Sequence, residues 1–214
     1  MIHILSTVYS IHVIERSHIL RVMVLFCVIL TSLGALISIK VGPIPYTLQN
    51  FGVILSGLIL PPKYALASQL LYLALIGVGL PVAAGLRGGL HVLLGYTAGF
   101  LWSFPITSYI MSKLCRFYLN SRGLRLDLIK GFDVIVILIL SLIAITPLYA
   151  LGTLVYTLYV VNSTNTWLLV NSYVKHLIIL TVMFLPQDLF MDHLIAIIIS
   201  RELAKVLRYR GIVL

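Results

Sequence analysis

Charge is what this chain has least of. Asp, Glu, Lys and Arg make up 10% of its 214 residues, and only six of them are acidic. A soluble domain carries about a quarter charged residues, so a water-exposed globular surface is excluded. Cysteine is nearly absent too, with Cys27 inside the first apolar segment and Cys115 at the far end of the fourth. Two thiols so placed give no reason for a disulfide or a metal centre, and both read as packing residues. There is no GxxxxGK[ST] stretch, which removes the usual phosphate-binding loop, and no HExxH pair, which removes the usual helical zinc site. The opening MIHILSTVYSIHVIERSH has neither a basic start nor a small-residue cleavage site after its apolar residues, so no removable signal peptide is expected. Low-complexity tracts and internal repeats are missing as well.

What fills the space is hydrocarbon. Hydrophobic residues make up 61% of the chain and the mean hydropathy is +1.11, which reads as an integral membrane protein. A spanning helix needs roughly 20 apolar residues. Six apolar segments occur, near 19–39, 47–60, 64–80, 90–112, 132–160 and 177–200. The expected fold is therefore an all-α, multi-pass six-helix bundle forming a single membrane domain over 1–214, with a basic loop at 113–131. The second and third segments are short and meet at Pro61 and Pro62, as expected if their ends face protein or a cavity and not lipid. Pro147, near the middle of the long fifth segment, predicts a kink.

A net charge of +9 invites a nucleic-acid reading, but topology absorbs it. An even helix count puts both termini on one side. If that side is cytoplasmic, it receives Arg16, Arg21, Lys63, Lys113, Arg116, Arg122, Arg125, Lys130, Arg201, Lys205, Arg208 and Arg210, while Lys40, Arg87 and Lys175 fall outside. This is a strong positive-inside bias, and the loss or gain of one helix would scramble it. No nucleic-acid partner is expected.

Three polar groups interrupt the hydrocarbon, all on the expected outer side. In Gly42 to Asn50, GPIPYTLQN, the prolines oppose continued helix and the amides of Gln49 and Asn50 open the second helix. This stretch is a binding wall or an ordinary proline turn capped by Thr47. Between Gly77 and Gly99 stand seven glycines, which permit close approach either of a ligand or of a neighbouring helix. Arg87 in that stretch is an isolated cation on the side poor in positive charge, and it calls for an anion. In FLPQDLFMDH, Phe184 to His193, Pro186 suits the first turn of a helix, where the dipole would favour Asp188. Asp192 follows one turn on, on the same face. A carboxylate deep in hydrocarbon costs about 2.5–3.5 kcal/mol on insertion scales and marks a functional site; a capping Asp188 with Asp192 in interfacial water is the alternative. His91 and His176 read as interfacial or packed residues.

SIKVGPIPYTLQNFGVILSGLIL, LIGVGLPVAAGLRGGLHVLLGYTAGF and FLPQDLF, in that order and spacing over about Thr31 to Leu203, together resemble BioY, the biotin-binding S component of energy-coupling factor (ECF) transporters. The resemblance implies a membrane component that captures biotin at the outer face. It would work with a transmembrane coupling protein and two ATPase subunits, and is thought to tip over in the membrane as they act. ATP would be used by those partners, with no cofactor, metal or catalytic residue on this chain. It also implies a smooth first-helix face for the coupling protein, at Cys27, Thr31 and Ala35, or at Gly34 and Ser38.

Biotin offers two ureido N–H donors, a ureido carbonyl, an apolar ring and a carboxylate tail. Asp188 suits the N–H groups and Thr47, Gln49 or Asn50 the remaining polar edge, while Tyr72, Tyr96 or Trp102 suit the ring. Arg87, then Lys175, suit the tail. The chain departs from the family where Pro-Gly-Asp-x-x-Lys is expected, having Gln187 for the glycine and Met191 for the lysine. Arg87 or His193 is expected to compensate. Where the family shows Pro-Thr-Gly-Gly-Tyr this chain has Tyr96 to Phe100, and Ala83 stands where an aromatic is expected. Two other readings share the residues: an S component or solitary carrier for another small vitamin, and a metal-dependent intramembrane enzyme using Asp188 and Asp192.

Overall fold

The structure, a computed structural model, describes the backbone of residues 2–42 and 44–210 and the side chains of 17–39 and 44–210. Pro43 of the proline turn, and the side chains of Arg16 and Lys40 counted above, lie outside the described residues. Helical stretches fall into six runs: α1 (Ile2–Leu36); α2 (Gln49–Ile59); α3 (Pro62–Gly77); the single turn α4 (Leu90–Leu93) leading into α5 (Ala98–Ser121); α6 (Gly131–Ala144) with α7 (Thr146–Val161); and α8 (Thr166–Gln187) continuing through a π-helical turn, Asp188–His193, into α9 (Leu194–Tyr209). The six-helix bundle expected from the sequence is present. The break between α6 and α7 falls at Ile145, just before Pro147, because proline has no N–H for the preceding turn.

Among the described residues, three stretches are long and apolar enough to cross a membrane: Ser17–Leu36, Gly131–Val161 and Thr166–Tyr209. By contrast α2, at 11 residues, spans only about 17 Å at 1.5 Å per residue, short of the ~30 Å hydrocarbon core. Its residues from Gly52 to Ile59 are all buried, so protein and not lipid surrounds it. Gly52 makes this possible, since a Cβ there would lie 2.4 Å from the Thr31 hydroxyl of α1. On its other sides α2 packs on α5 and α9.

Several expectations are corrected. The first segment does not run as helix to residue 39; α1 stops at Leu36 and an antiparallel hairpin follows, β1 (Ser38–Val41) pairing with β2 (Ile44–Thr47), with Lys40 opposite Pro45. Prolines bias the chain towards extended backbone, and an isolated two-stranded hairpin is marginal on its own. This one is held by α8: the Tyr46 hydroxyl donates to the Met183 carbonyl and its ring lies 4.4 Å from that of Phe184. The expected loop at 113–131 is helix as far as Ser121, because α5 has the helix-forming run to continue; only Arg122 to Lys130, with one 3-10 turn at Leu126–Leu128, connects to α6. Thr47 is not a helix cap; Leu48 is the N-cap residue of α2 and no side chain bonds to its first amides.

The first-helix partner face is also corrected. Cys27, Thr31 and Ala35 are fully buried and Gly34 is buried against Leu48 at the start of α2, its carbonyl accepting from the Leu48 amide at 3.0 Å. Ser38 belongs to the hairpin. Small residues at four-residue spacing serve contact with α2 inside the protein. The outward face of α1 instead carries Val22, Leu25, Ile29 and Leu33.

The 3-10 turn ties the two ends of the bundle's basic side together. Asp127 bridges Arg125 at 3.1 Å and Arg208, near the end of α9, at 2.8 Å. Burial alone would raise the Asp127 carboxyl, but the hydrogen bonds from Arg125 and Arg208 outweigh it and hold the group below its ordinary 3.8. At α6, Asp133 accepts from the Lys130 amide at 2.9 Å and from the Tyr118 hydroxyl at 2.7 Å, closing the helix start.

Candidate functional site

At the opposite end from that ion cluster, the hairpin, α2, the glycine-rich loop, α5, α7 and the π-helical turn enclose a cavity of about 710 Å³, part of it open. The hairpin supplies Ile44, Pro45 and Thr47, and α2 supplies Gln49 and Asn50. Ala83, Ala84 and Arg87 come from the loop, Phe100 and Phe104 from α5, Leu148 and Tyr149 from α7, and Phe184, Gln187 and Asp188 from the last run.

Among the described residues Asp188 is the only carboxylate on this wall, and it is 2% exposed. It reaches the wall differently from the sequence expectation. Pro186 lies inside α8 and not at a helix start, so no dipole of its own helix favours the carboxyl. Instead the π turn, which takes an extra residue per turn and recurs at functional sites, brings Asp188, Asp192 and His193 inward together. The favourable dipole belongs to α2, whose N-terminus points at the pair. Asn50, in its first turn, donates to Asp188 Oδ1 at 2.8 Å, and the Phe51 backbone amide, one of the N–H groups a helix start leaves unpaired, acts on Asp192. Tyr149 donates to Asp188 Oδ2 at 2.5 Å. The neighbouring Asp192 carboxyl is also in hydrogen-bond contact with it, so three protein groups share the two Asp188 oxygens and part of their acceptor capacity is left for something else.

Asp192 is fully buried, which removes the alternative that placed it in interfacial water. Its Oδ2 accepts from Gln187 Nε2 at 3.0 Å. His193 is likewise fully buried, with Nδ1 2.7 Å from the Ser141 hydroxyl of α6. It faces the core, so it cannot stand in for a cation at the cavity. Among the described residues no group of three or more His, Cys, Asp or Glu side chains is placed to share a metal ion.

Of the residues singled out from sequence, the structure brings Thr47, Gln49, Asn50, Arg87 and Asp188 together at the cavity. Tyr72 does not line it. It stands fully buried behind Gln49, accepts from Gln49 Nε2 at 2.6 Å and donates to the Val82 carbonyl at 3.0 Å. With Thr47 Oγ1 donating to Gln49 Oε1 at 3.0 Å, the Gln49 amide is fixed at both ends. Tyr96 is 37% exposed and outside the wall, and Trp102, also outside, donates to the Leu93 carbonyl at 2.9 Å. Met191 is 52% exposed and outside the cavity lining, so it is corrected from a wall residue to one on the outer surface of the π turn. Lys175 is exposed and outside the wall. Arg87 is therefore the one cation among the lining residues. The loop holds it back on itself, with Nε donating to the Ala84 carbonyl at 3.0 Å and an isolated bridge pairing Ala83 with Arg87. Gly88 permits that turn, since a Cβ there would meet the Leu80 carbonyl at 2.1 Å.

The aromatic wall is where sequence reasoning missed most. Phe100, Phe104, Tyr149 and Phe184 make it, in place of Tyr72, Tyr96 and Trp102. Phe184 opens a stretch already marked as a polar interruption, and Phe100 directly follows another. Tyr149 carried no local signal, because it approaches from α7, 39 residues from the carboxylate it touches.

The model of the BioY family matches residues 10–209. Among curated proteins, the chain is 51% identical over 83 residues to a probable biotin transporter BioY of Pyrococcus horikoshii, an alignment covering 39% of this chain and 51% of that protein. It is 38% identical over 110 residues to the biotin transporter BioY of Thermotoga maritima, covering 49% of this chain and 65% of that one. The alignment to a probable biotin transporter BioY of Bacillus subtilis, 49% identical over 70 residues, covers 33% of this chain and 38% of that protein. The chain thus spans less than two thirds of the length of these relatives. Among solved structures, the S-component for biotin from an ECF-type ABC transporter superposes with a TM-score of 0.67 at 25% identity, over 91% of this chain and 93% of that one.

Proposed function

This chain belongs to the BioY family, and we propose from that membership that it captures biotin in the membrane for an ECF transporter. The observation that carries the reading is the cavity's polarity, acceptor at one place and cation at another with aromatic wall between. Asp188, pinned by Asn50 and Tyr149, is the acceptor on this wall, and ureido N–H groups are the ligand donors that fit such a carboxylate. Gln49, fixed by Thr47 and Tyr72, lies beside it for the ureido carbonyl edge. Phe100, Phe104 and Phe184 supply apolar surface for the fused ring. Arg87 takes the tail carboxylate, in place of the cation that Met191 does not provide.

Biotin enters from the outer side, both termini lie in the cytoplasm, and the basic end with Arg125, Arg208 and Asp127 faces the ATPases. A coupling protein and two ATPase subunits supply the energy; this chain binds no cofactor and performs no catalysis. The outward apolar face of α1 at Val22, Leu25 and Ile29 meets lipid or the coupling protein, since its small residues are buried.

Equilibrium binding of labelled biotin to the purified chain in lipid nanodiscs tests the reading, with saturable one-to-one binding expected. Absence of saturable binding, or displacement by another vitamin at lower concentration than by biotin, would overturn the ligand assignment and leave the carrier for a different small vitamin. Uptake by cells with and without the partner subunits then tests the coupling.

A further inference from the structure

The hairpin that carries Ile44, Pro45 and Thr47 into the cavity wall is tied to the last helical run in two different ways. Tyr46 binds it to α8, through the Met183 carbonyl and the ring of Phe184. Gln187 binds it to the π turn. Its Nε2 donates one hydrogen to the Thr47 carbonyl at 2.8 Å and the other to Asp192 Oδ2 at 3.0 Å. Both partners are acceptors, so the orientation of the amide is settled by the network itself. Neither hydrogen is left over.

The other half of the amide has no such company. Gln187 Oε1 is buried without a hydrogen-bond partner, as is Asp192 Oδ1. A buried carbonyl with no donor disfavours the arrangement that creates it. The closed hairpin is thus held by two donated bonds and opposed by an orphaned acceptor, which is released to water or to a new partner once the Thr47 bond breaks. Gln187 is also part of the cavity wall, next to Asp188. A single side chain touches the hairpin, the wall and the buried carboxyl behind it.

We propose that Gln187 is a positioning residue for ligand capture: it latches the hairpin over the cavity and links hairpin closure to the carboxyl of Asp192. The hairpin closes when the amide spans both acceptors and opens when it loses either one. Because Thr47 also orients Gln49, release of the latch loosens the polar edge of the site together with its cover. The link to ligand release rests on the biotin reading above; the link to hairpin position does not.

Spin labels at Ile39→Cys and Val182→Cys, both on exposed positions of β1 and α8, report the hairpin distance in nanodiscs without ligand. The native Cys27 and Cys115 are buried and stay unlabelled. The expected result is one narrow distance for the otherwise unchanged chain and a second, longer population for Gln187→Met, which keeps the length and loses both donors. Gln187→Asn, too short to span both acceptors, gives the same second population if the methionine variant does not fold. Asp192→Asn keeps an acceptor and retains the narrow distance, whereas Asp192→Leu broadens it. Labelled biotin leaves Gln187→Met about tenfold faster, the size expected for loss of donated bonds to strong acceptors. Distance distributions of both Gln187 variants that superimpose on the unsubstituted pair, with release within twofold, overturn the latch. If the unsubstituted chain binds no biotin, the ligand assignment fails while the distances still decide the latch.

Discussion

Replacing Asp188 by Asn separates a binding carboxylate from a structural one, because the two roles predict opposite signs. The side chain keeps its shape, but one oxygen becomes an NH2 that must face either the Asn50 amide or the Tyr149 hydroxyl. Tyr149 can turn to accept, so the local network survives with one bond reversed. A ligand loses more. A charge-assisted hydrogen bond is worth about 1.5–3 kcal/mol, and with one or both N–H groups deprived of the charged partner the loss is about 2–4 kcal/mol, a Kd raised roughly 30- to 1000-fold. Stability moves the other way or not at all, since a carboxyl 2% exposed at membrane depth is costly to bury and an amide costs less. Tyr149→Phe leaves the carboxylate and removes one of its two anchors, for about 1 kcal/mol and a roughly fivefold higher Kd. The assay is labelled-biotin titration in nanodiscs alongside thermal unfolding of the same samples. An Asp188→Asn protein that binds within threefold of the parent while melting lower would show that Asp188 supports the fold and does not receive the ligand.

Arg87→Ala is expected to raise the Kd for biotin by about tenfold or more through loss of a charge-assisted contact, while biotin amidated at its tail binds parent and variant alike; equal losses for both ligands would remove Arg87 from the tail. Tyr72→Phe frees one end of the Gln49 amide and should weaken binding about fivefold without touching the cavity, for a net hydrogen-bond contribution of about 1 kcal/mol, as read by the same titration; unchanged affinity would show that Thr47 alone orients Gln49. Asp127 has its folded pKa below the unfolded one, so its ion pairs stabilise the protein above about pH 4 and are lost as pH falls through the folded value. Thermal unfolding should therefore show Asp127→Asn melting below the parent by the same margin at pH 7 and pH 5, with the margin shrinking as pH falls below about 4 through the folded value; a margin independent of pH down to full protonation would point to packing and not charge.

The helices were legible because they are written in composition: runs of apolar residues interrupted by proline and charge define their own ends, and the short α2 could be identified as protein-enclosed from length alone. The polar wall was legible for the same reason in reverse, since Thr47, Gln49, Asn50, Arg87 and Asp188 each break a hydrocarbon context where a polar group is costly. Aromatics send no such signal. Tyr149 or Phe104 in an apolar helix looks the same facing lipid, core or ligand, so which rings line the cavity depends on helix rotation, which tertiary packing sets. The small residues of α1 misled for a related reason. Cys27, Thr31 and Ala35 state that some close contact exists, but only the fold says that the contact is α2, through Gly52, and not another protein.

The π turn explains why the last motif could be recognised yet misplaced. From sequence, Pro186 begins a helix and Asp188 sits in its first turn; in the structure the helix has already run 20 residues by Pro186 and widens just beyond it. In a regular α-helix Asp192, four residues on, would already share the face of Asp188, whereas His193, five on, would be turned about 140° away at about 100° per residue; the extra residue in the turn is what brings His193 inward with the other two. The same widening carries Met191 out to the surface. A lysine placed at 191 in this backbone would therefore start from an outward-facing position and would need to reach around the turn to the cavity. Arg87 needs no such detour, because its loop already forms the wall. The Met191→Lys variant in an Arg87→Ala background tests that asymmetry: with the turn as described, it should not restore the lost biotin affinity. Recovery to within twofold of the parent would mean that residue 191 can face the cavity and that the π turn relaxes when biotin binds.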